Sequence, residues 1–67
     1  MSWETISGGI RLVGNSSTRQ AAMNRVDRPW RPGLAEVVNR ATREKWRRRG
    51  GTWVQLVPAL KRKGRAA

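Results

Sequence analysis

The sequence contains no cysteine and no histidine. Without these side chains the chain can form no disulfide, hold no metal through thiolate or imidazole, and build no Cys/His or Ser/His nucleophile. A domain of this size seldom obtains more than about 3–5 kcal/mol from its hydrophobic core, so it needs another source of stability. With disulfides and metals set aside, self-association into a homo-oligomer or binding to a large partner remains.

Acidic residues are scarce, with four Asp and Glu against fifteen Lys and Arg. The carboxylates are Glu4, Asp27, Glu36 and Glu44. Nothing in the sequence links two of them as the acid and base of a catalytic pair. The segments "SGG" and "GGTW" are too short for phosphate-binding loops. We therefore expect no enzymatic activity, no metal and no cofactor.

Long apolar runs are also missing from the sequence. No stretch is long enough for a signal peptide or a membrane span, so we expect a soluble, intracellular chain, free or within a nucleoprotein assembly, without membrane insertion. A chain of 67 residues has room for one small domain. We assign residues 1–60 to a single small basic domain and residues 61–67 to a flexible basic tail.

The N-terminal half contains signals for a hairpin and a helix. Two short apolar runs, 3–6 and 10–13, are separated by Ser7-Gly8-Gly9, which predicts a hairpin with a three-residue loop. Either run could instead pair with a strand from the C-terminal half. Farther along, Ser17 and Gln20 match the capping-box pattern at a helix start. A helix is predicted over 17–27, ended by Pro29.

Residues 33–49 predict a second, amphipathic helix. At about 100° per residue, four apolar residues fall on one face and three arginines on the other. The two sets are Leu34, Val37, Val38 and Ala41, and Arg40, Arg43 and Arg47. Gly50 would end this helix.

Residues 52–58, "TWVQLVP", alternate β-forming residues and predict a C-terminal strand that pairs with one of the N-terminal strands. The predicted fold class is therefore α+β. It is a small single domain with short N-terminal strands or a hairpin, two helices and a C-terminal strand.

The net charge of +11 predicts an anionic partner. On so basic a chain, an arginine-rich face is better explained by phosphate contact than by solubility alone. A polybasic tail would act as a clamp without sequence preference. The predicted nucleic-acid-binding residues are Arg40, Arg43, Trp46, Arg47, Arg48, Arg49, Lys61, Arg62, Lys63 and Arg65.

The tryptophans admit different interpretations. Trp46 would lie off the apolar face of the predicted helix, where it could stack on a base or instead fold over the rim of the core. Trp3 and Trp53, on predicted strands, are expected in the core. Trp30 lies in "RPWRP", an extended and rigid connector, as either a core plug or an exposed anchor.

The sequence thus predicts a small basic protein that binds nucleic acid through its backbone phosphates. RNA or single-stranded DNA is preferred over duplex, because an exposed aromatic ring can stack only on unpaired bases. The alternative is a protein-binding module, an inhibitor or adaptor that docks on an acidic protein surface of a larger nucleic-acid-processing machine. A structural component of a ribosome or virion is a third hypothesis.

Overall fold

The computed structural model describes residues 2–59, which form a five-stranded antiparallel sheet and one short helix. The elements are β1 (Trp3–Ser7), β2 (Ile10–Arg11), α1 (Arg19–Asp27), β3 (Ala35–Asn39), β4 (Lys45–Arg49) and β5 (Thr52–Val57). The strand order is β2-β1-β3-β4-β5. The helix packs on one face of the sheet, over β1 and β3. Within residues 2–59, no helix has the length and apolar character needed to cross a membrane.

The predicted N-terminal hairpin is present, but its loop is Gly8-Gly9 and not the predicted three residues, because Ser7 belongs to β1. Strands β1 and β2 pair with Ile6 opposite Arg11 and Ser7 opposite Ile10. Gly8 and Gly9 in the connecting turn have φ of 60° and 86°, which a residue without a Cβ adopts at little cost. The other edge of β1 pairs with β3, so the N-terminal strands do not meet the C-terminal strand.

The predicted first helix is present, but its capping residue is different. The N-cap is Thr18, whose hydroxyl accepts a hydrogen bond of 3.1 Å from the Ala21 N–H. The predicted Ser17/Gln20 capping box is wrong, since the Gln20 side chain donates to Asn24 instead. The helix ends at Asp27, before Pro29, as the sequence predicted.

The predicted second helix over 33–49 is wrong, because this segment forms β3, a turn and β4. The Asn39 side chain stabilises the turn by accepting hydrogen bonds from the N–H groups of Ala41 and Thr42, at 2.8 and 3.1 Å. Val37 and Val38 are β-branched and fit a paired strand well. Strand β3 then lies between β1 and β4, and these long-range pairings outweigh the local helical pattern.

The predicted fold class is corrected accordingly. The structure has five antiparallel strands and one helix, whereas the sequence predicted two helices with few strands. The predicted pairing of the C-terminal strand with an N-terminal strand is also wrong, because β5 pairs with β4 at the far edge of the sheet.

A thin core lies between α1 and the sheet. Its buried members are Trp3, Ala22, Met23 and Val37, with Trp46 and Trp53 packed partly buried against them. The Thr5 hydroxyl joins sheet and helix by donating to the Ala22 carbonyl at 2.9 Å. Because the apolar volume is small, buried polar contacts contribute a large share of the packing.

Candidate functional site

Each Asp and Glu side chain of the chain contacts a cation within the fold. Glu4 contacts Arg11 and Arg40 at 3.1 and 3.0 Å, Glu36 contacts Lys45 and Arg47 at 3.7 and 2.6 Å, Asp27 contacts Arg48 at 2.7 Å, and Glu44 contacts Arg19 at 3.6 Å. These pairs use all the acidic residues that the sequence contains. The surplus of positive charge is therefore not neutralised by the acidic residues of the chain.

The face of the sheet opposite α1 carries most of the strand cations. Side chains alternate between faces along a strand, so residues flanking the helix-facing Thr5, Val37 and Arg48 point to the uncovered side. We call this surface the open face. Its members are the cations Arg11, Arg40, Lys45, Arg47 and Arg49, the carboxylates Glu4 and Glu36, and the apolar residues Ile6, Val38 and Val54.

Three of these cations follow one another along β4. Lys45, Arg47 and Arg49 occupy every second position and so lie about 6.8 Å apart along the strand. Arg47 is opposite Glu36 on one neighbouring strand and opposite Val54 on the other. The row is a regular line of positive charge on the open face, one strand in from the β5 edge.

The predicted row of Arg40, Arg43 and Arg47 does not exist, since it required a helix. Arg40 follows β3, has a side chain 63% exposed, and reaches Glu4 on the open face. Arg43 is exposed in the turn between β3 and β4. Arg47 reaches the open face from β4, so the structure brings Arg40 and Arg47 to one surface by pairing strands.

Arg48, also a predicted contact, is only 4% exposed. Its guanidinium donates to the Val26 carbonyl at 2.8 Å, to the Asp27 carboxylate at 2.7 Å, and to the carbonyls of Arg31 and Gly33. These bonds join the end of α1, the following connector and β4. Since its donors are used inside the fold, Arg48 is not part of the open face.

Trp46 lies on the helix side of the sheet and is half-buried. Its indole Nε1 donates to Glu44 at 2.7 Å, and the guanidinium of Arg19 lies 4.3 Å from its ring centroid. The structure thus places Trp46 at the rim of the core, the second of the two interpretations that the sequence allowed. Trp3 is buried, and Trp53 packs against the core with its Nε1 donating to Asp27 at 3.0 Å.

Trp30 is the exposed tryptophan, with 53% of its surface accessible. The guanidinium of Arg48 lies 3.8 Å from its ring centroid, which is cation–π stacking. The ring borders a cavity of about 430 Å³ that we call the Trp30 cleft, lined by Trp30, Pro32, Gly33, Leu34, Arg48, Gly50 and Gly51. The prolines on either side of Trp30 were the sequence signal that it lies outside regular structure.

The predicted tail contacts Lys61, Arg62, Lys63 and Arg65 lie outside the described residues. Arg49, the remaining predicted contact, is exposed at the end of β4 opposite Thr52. Among residues 2–59 it has no carboxylate within ion-pair distance. Of the predicted residues, Arg40, Arg47 and Arg49 therefore lie on the open face.

Arg43 has φ of 65°, in the left-handed region that disfavours side chains with a Cβ. Asparagine tolerates this conformation better, so we expect Arg43→Asn to raise the free energy of unfolding by about 0.5–1 kcal/mol. Urea unfolding followed by circular dichroism measures the change. Arg49→Asn, in an ordinary strand conformation, is the control and should not stabilise. Equal effects of the two substitutions would contradict a backbone origin.

Comparison of the chain with models of known protein families, with curated proteins and with solved structures found no match. The open face and the Trp30 cleft are therefore the features of the molecule that bear on function.

Proposed function

We propose that the protein binds nucleic acid through backbone phosphates, using the open face of its sheet. The observation that supports this most directly is the charge of that face. Five cations lie there against two carboxylates, and each carboxylate is shared by two cations. A phosphate backbone is the polyanion that such a surface fits best, because its charges repeat along a line as those of β4 do.

The sharing of carboxylates bears on whether these cations can reach a phosphate. Glu36 is held by both Lys45 and Arg47, and Glu4 by both Arg11 and Arg40. One cation of each pair can turn to a phosphate while the other keeps the carboxylate neutralised. Arg11 and Arg40 are 62% and 63% exposed, so releasing one of them from Glu4 costs about 0–1 kcal/mol. Lys45 is the cation of the Glu36 pair that is easier to release, because Arg47 holds the buried Glu36 through two nitrogens.

The apolar residues between the cations suit a non-specific contact. Ile6, Val38 and Val54 have aliphatic side chains, so they can cover sugars but offer no hydrogen bond to read base edges. We therefore propose binding without marked sequence preference. A structural role inside a nucleoprotein assembly would use the same surface.

Titration of a fluorescent oligonucleotide at several salt concentrations tests the proposal. We expect tight binding at low salt and a linear fall of log K with log salt, with a slope of about −0.7 per phosphate contact for a single strand. An uncharged oligonucleotide analogue of the same sequence is the control and should bind weakly at every salt concentration. Absence of binding at low salt would rule the proposal out.

The exposed edge of β5 favours a second candidate, a protein-binding module. Among residues 2–59, β5 pairs only with β4, and its six residues include no charged side chain and no proline. Val54, Leu56 and Val57 are each about 40% exposed. An uncharged edge strand can accept an extended segment from another chain. Absence of binding in the oligonucleotide titration would favour this second candidate over nucleic-acid binding.

A further inference from the structure

We infer that the Trp30 cleft is a binding site for an unpaired base of single-stranded nucleic acid. This inference rests on the proposed function and adds to it a ligand class and a second contact. The open face would hold phosphates, and the cleft, which lies beside the turn between β4 and β5 on the helix-facing side, would hold a base.

The ring of Trp30 is exposed yet held in place. Arg48 lies against it at 3.8 Å and is itself fixed by bonds to the Val26 carbonyl and the Asp27 carboxylate. A ring that is already ordered loses little conformational freedom when a base stacks on it. Arg48 covers one side of the Trp30 ring, yet 53% of this residue stays accessible. Trp46 differs because its ring is partly buried against the core as well as covered by Arg19.

The walls of the cleft leave room beside the ring. Gly50 and Gly51, in the turn between β4 and β5, have φ of 56° and 93° and carry no side chain into the cleft. A Cβ on Gly51 would lie 3.9 Å from Cη2 of Trp30, which shows how closely the turn approaches the ring. Leu34, 48% exposed, supplies another apolar wall. A volume of about 430 Å³ is within the range of small-molecule sites and accommodates a base.

The charges around the cleft indicate a nucleotide rather than an apolar peptide. Arg28 and Arg31 lie on either side of Pro29 and Trp30 in the chain, and both are exposed. Within the described residues neither forms an ion pair with a carboxylate. Arg49 precedes Gly50 and belongs to the open face. These exposed cations are chain neighbours of the cleft residues Trp30 and Gly50, where they would meet the phosphates that flank a bound base.

Single-strand and duplex affinities of Trp30→Ala test the inference. The probes are a thymidine oligonucleotide and a blunt duplex of equal length, titrated at one salt concentration. We expect the single-strand affinity to fall about tenfold with the salt slope unchanged, because a stacking contact and no phosphate contact is lost. The duplex affinity should not change, since its bases are already stacked.

A second variant keeps the test decisive if Trp30→Ala does not fold. Trp30→Phe retains an aromatic ring over Arg48 but removes the exposed indole. We expect thymidine oligonucleotide to quench the tryptophan fluorescence of the original protein, and most of this quenching to disappear in Trp30→Phe. Quenching that persists in Trp30→Phe would overturn the inference.

Failure of the inference can be told apart from failure of the proposed function. If a folded Trp30→Ala binds single strands and duplex as the original protein does, with the same salt slope, the base site is wrong and phosphate binding by the open face stands. If the original protein binds neither probe at low salt, the proposed function is wrong, and the base site with it.

Discussion

Replacing Arg48 with methionine is expected to remove most of the protein's free energy of unfolding. Arg48 is 4% exposed and donates to the Asp27 carboxylate and to the carbonyls of Val26, Arg31 and Gly33. Methionine fills a similar volume but donates no hydrogen bond. The substitution leaves these acceptors without their charged donor and leaves Asp27 without its cation.

The size of this effect follows from the burial of the pair. Breaking a buried ion pair by removing one partner costs about 3–5 kcal/mol. Asp27 is 24% exposed, so we expect a loss near the lower end, about 3 kcal/mol. The whole core of so small a domain supplies only about 3–5 kcal/mol, which makes the loss comparable to the total stability.

Urea unfolding monitored by near-UV circular dichroism measures the change, and the neighbouring arginine provides a matched control. Arg49→Met makes the same chemical change at an exposed position, where we expect an effect within about 0.5 kcal/mol. The double variant Asp27→Asn/Arg48→Met should lose less than the two single variants combined, because it removes the unpaired carboxylate. Equal stability of Arg48→Met and Arg49→Met would contradict the structural role of Arg48.

Replacing Arg11 and Arg49 together with glutamine is expected to weaken oligonucleotide binding about a hundredfold at low salt. Both lie on the open face, and their removal leaves every carboxylate paired, since Glu4 keeps Arg40. A charge-assisted contact is worth about 1.5 kcal/mol, or roughly tenfold for each phosphate lost. The salt slope should also become shallower by about 1.4, which is 0.7 for each of the two contacts.

The control for this prediction makes an equal change of charge outside the open face. Arg19 lies on the helix side against Trp46, and Arg43 lies in the turn between β3 and β4. Arg19→Gln/Arg43→Gln should reduce affinity only slightly, by the general loss of positive charge. If both double variants weakened binding equally and changed the slope equally, attraction would be diffuse and the open face would not be the site. Thermal unfolding of both variants verifies that each remains folded.

Several elements of the fold could be predicted because their signals are local. The glycine pair after Ser7 requires a turn, and the runs on either side form β1 and β2. Pro29 ends the first helix, and the β-forming residues of 52–57 form a strand. Each of these signals acts within a few residues of the element that it determines.

The segment from 33 to 49 could not be predicted in this way. Its apolar residues Val37, Val38 and Ala41 fit a helical face, while β4 reads "KWRRR" and shows no alternation of apolar and polar residues. The residues of β4 alternate instead in the face of the sheet to which their side chains point. Trp46 and Arg48 face the helix, and Lys45, Arg47 and Arg49 face outward. Only the pairing of β4 with β3 and β5 shows this division.

Some features of the candidate site could likewise be predicted from the sequence, and others depend on the fold. The sequence predicted an anionic partner, since an excess of positive charge depends on composition alone and no fold can remove it. It also predicted a core too thin to be the sole source of stability. The tertiary structure decided which arginines are available. Arg48 is buried by α1 and the connector, whereas the alternation of side chains along β4 points Arg47 and Arg49 outward. Trp30 is exposed and Trp46 is not. The sequence does not show this, because exposure depends on contacts between residues far apart in the chain.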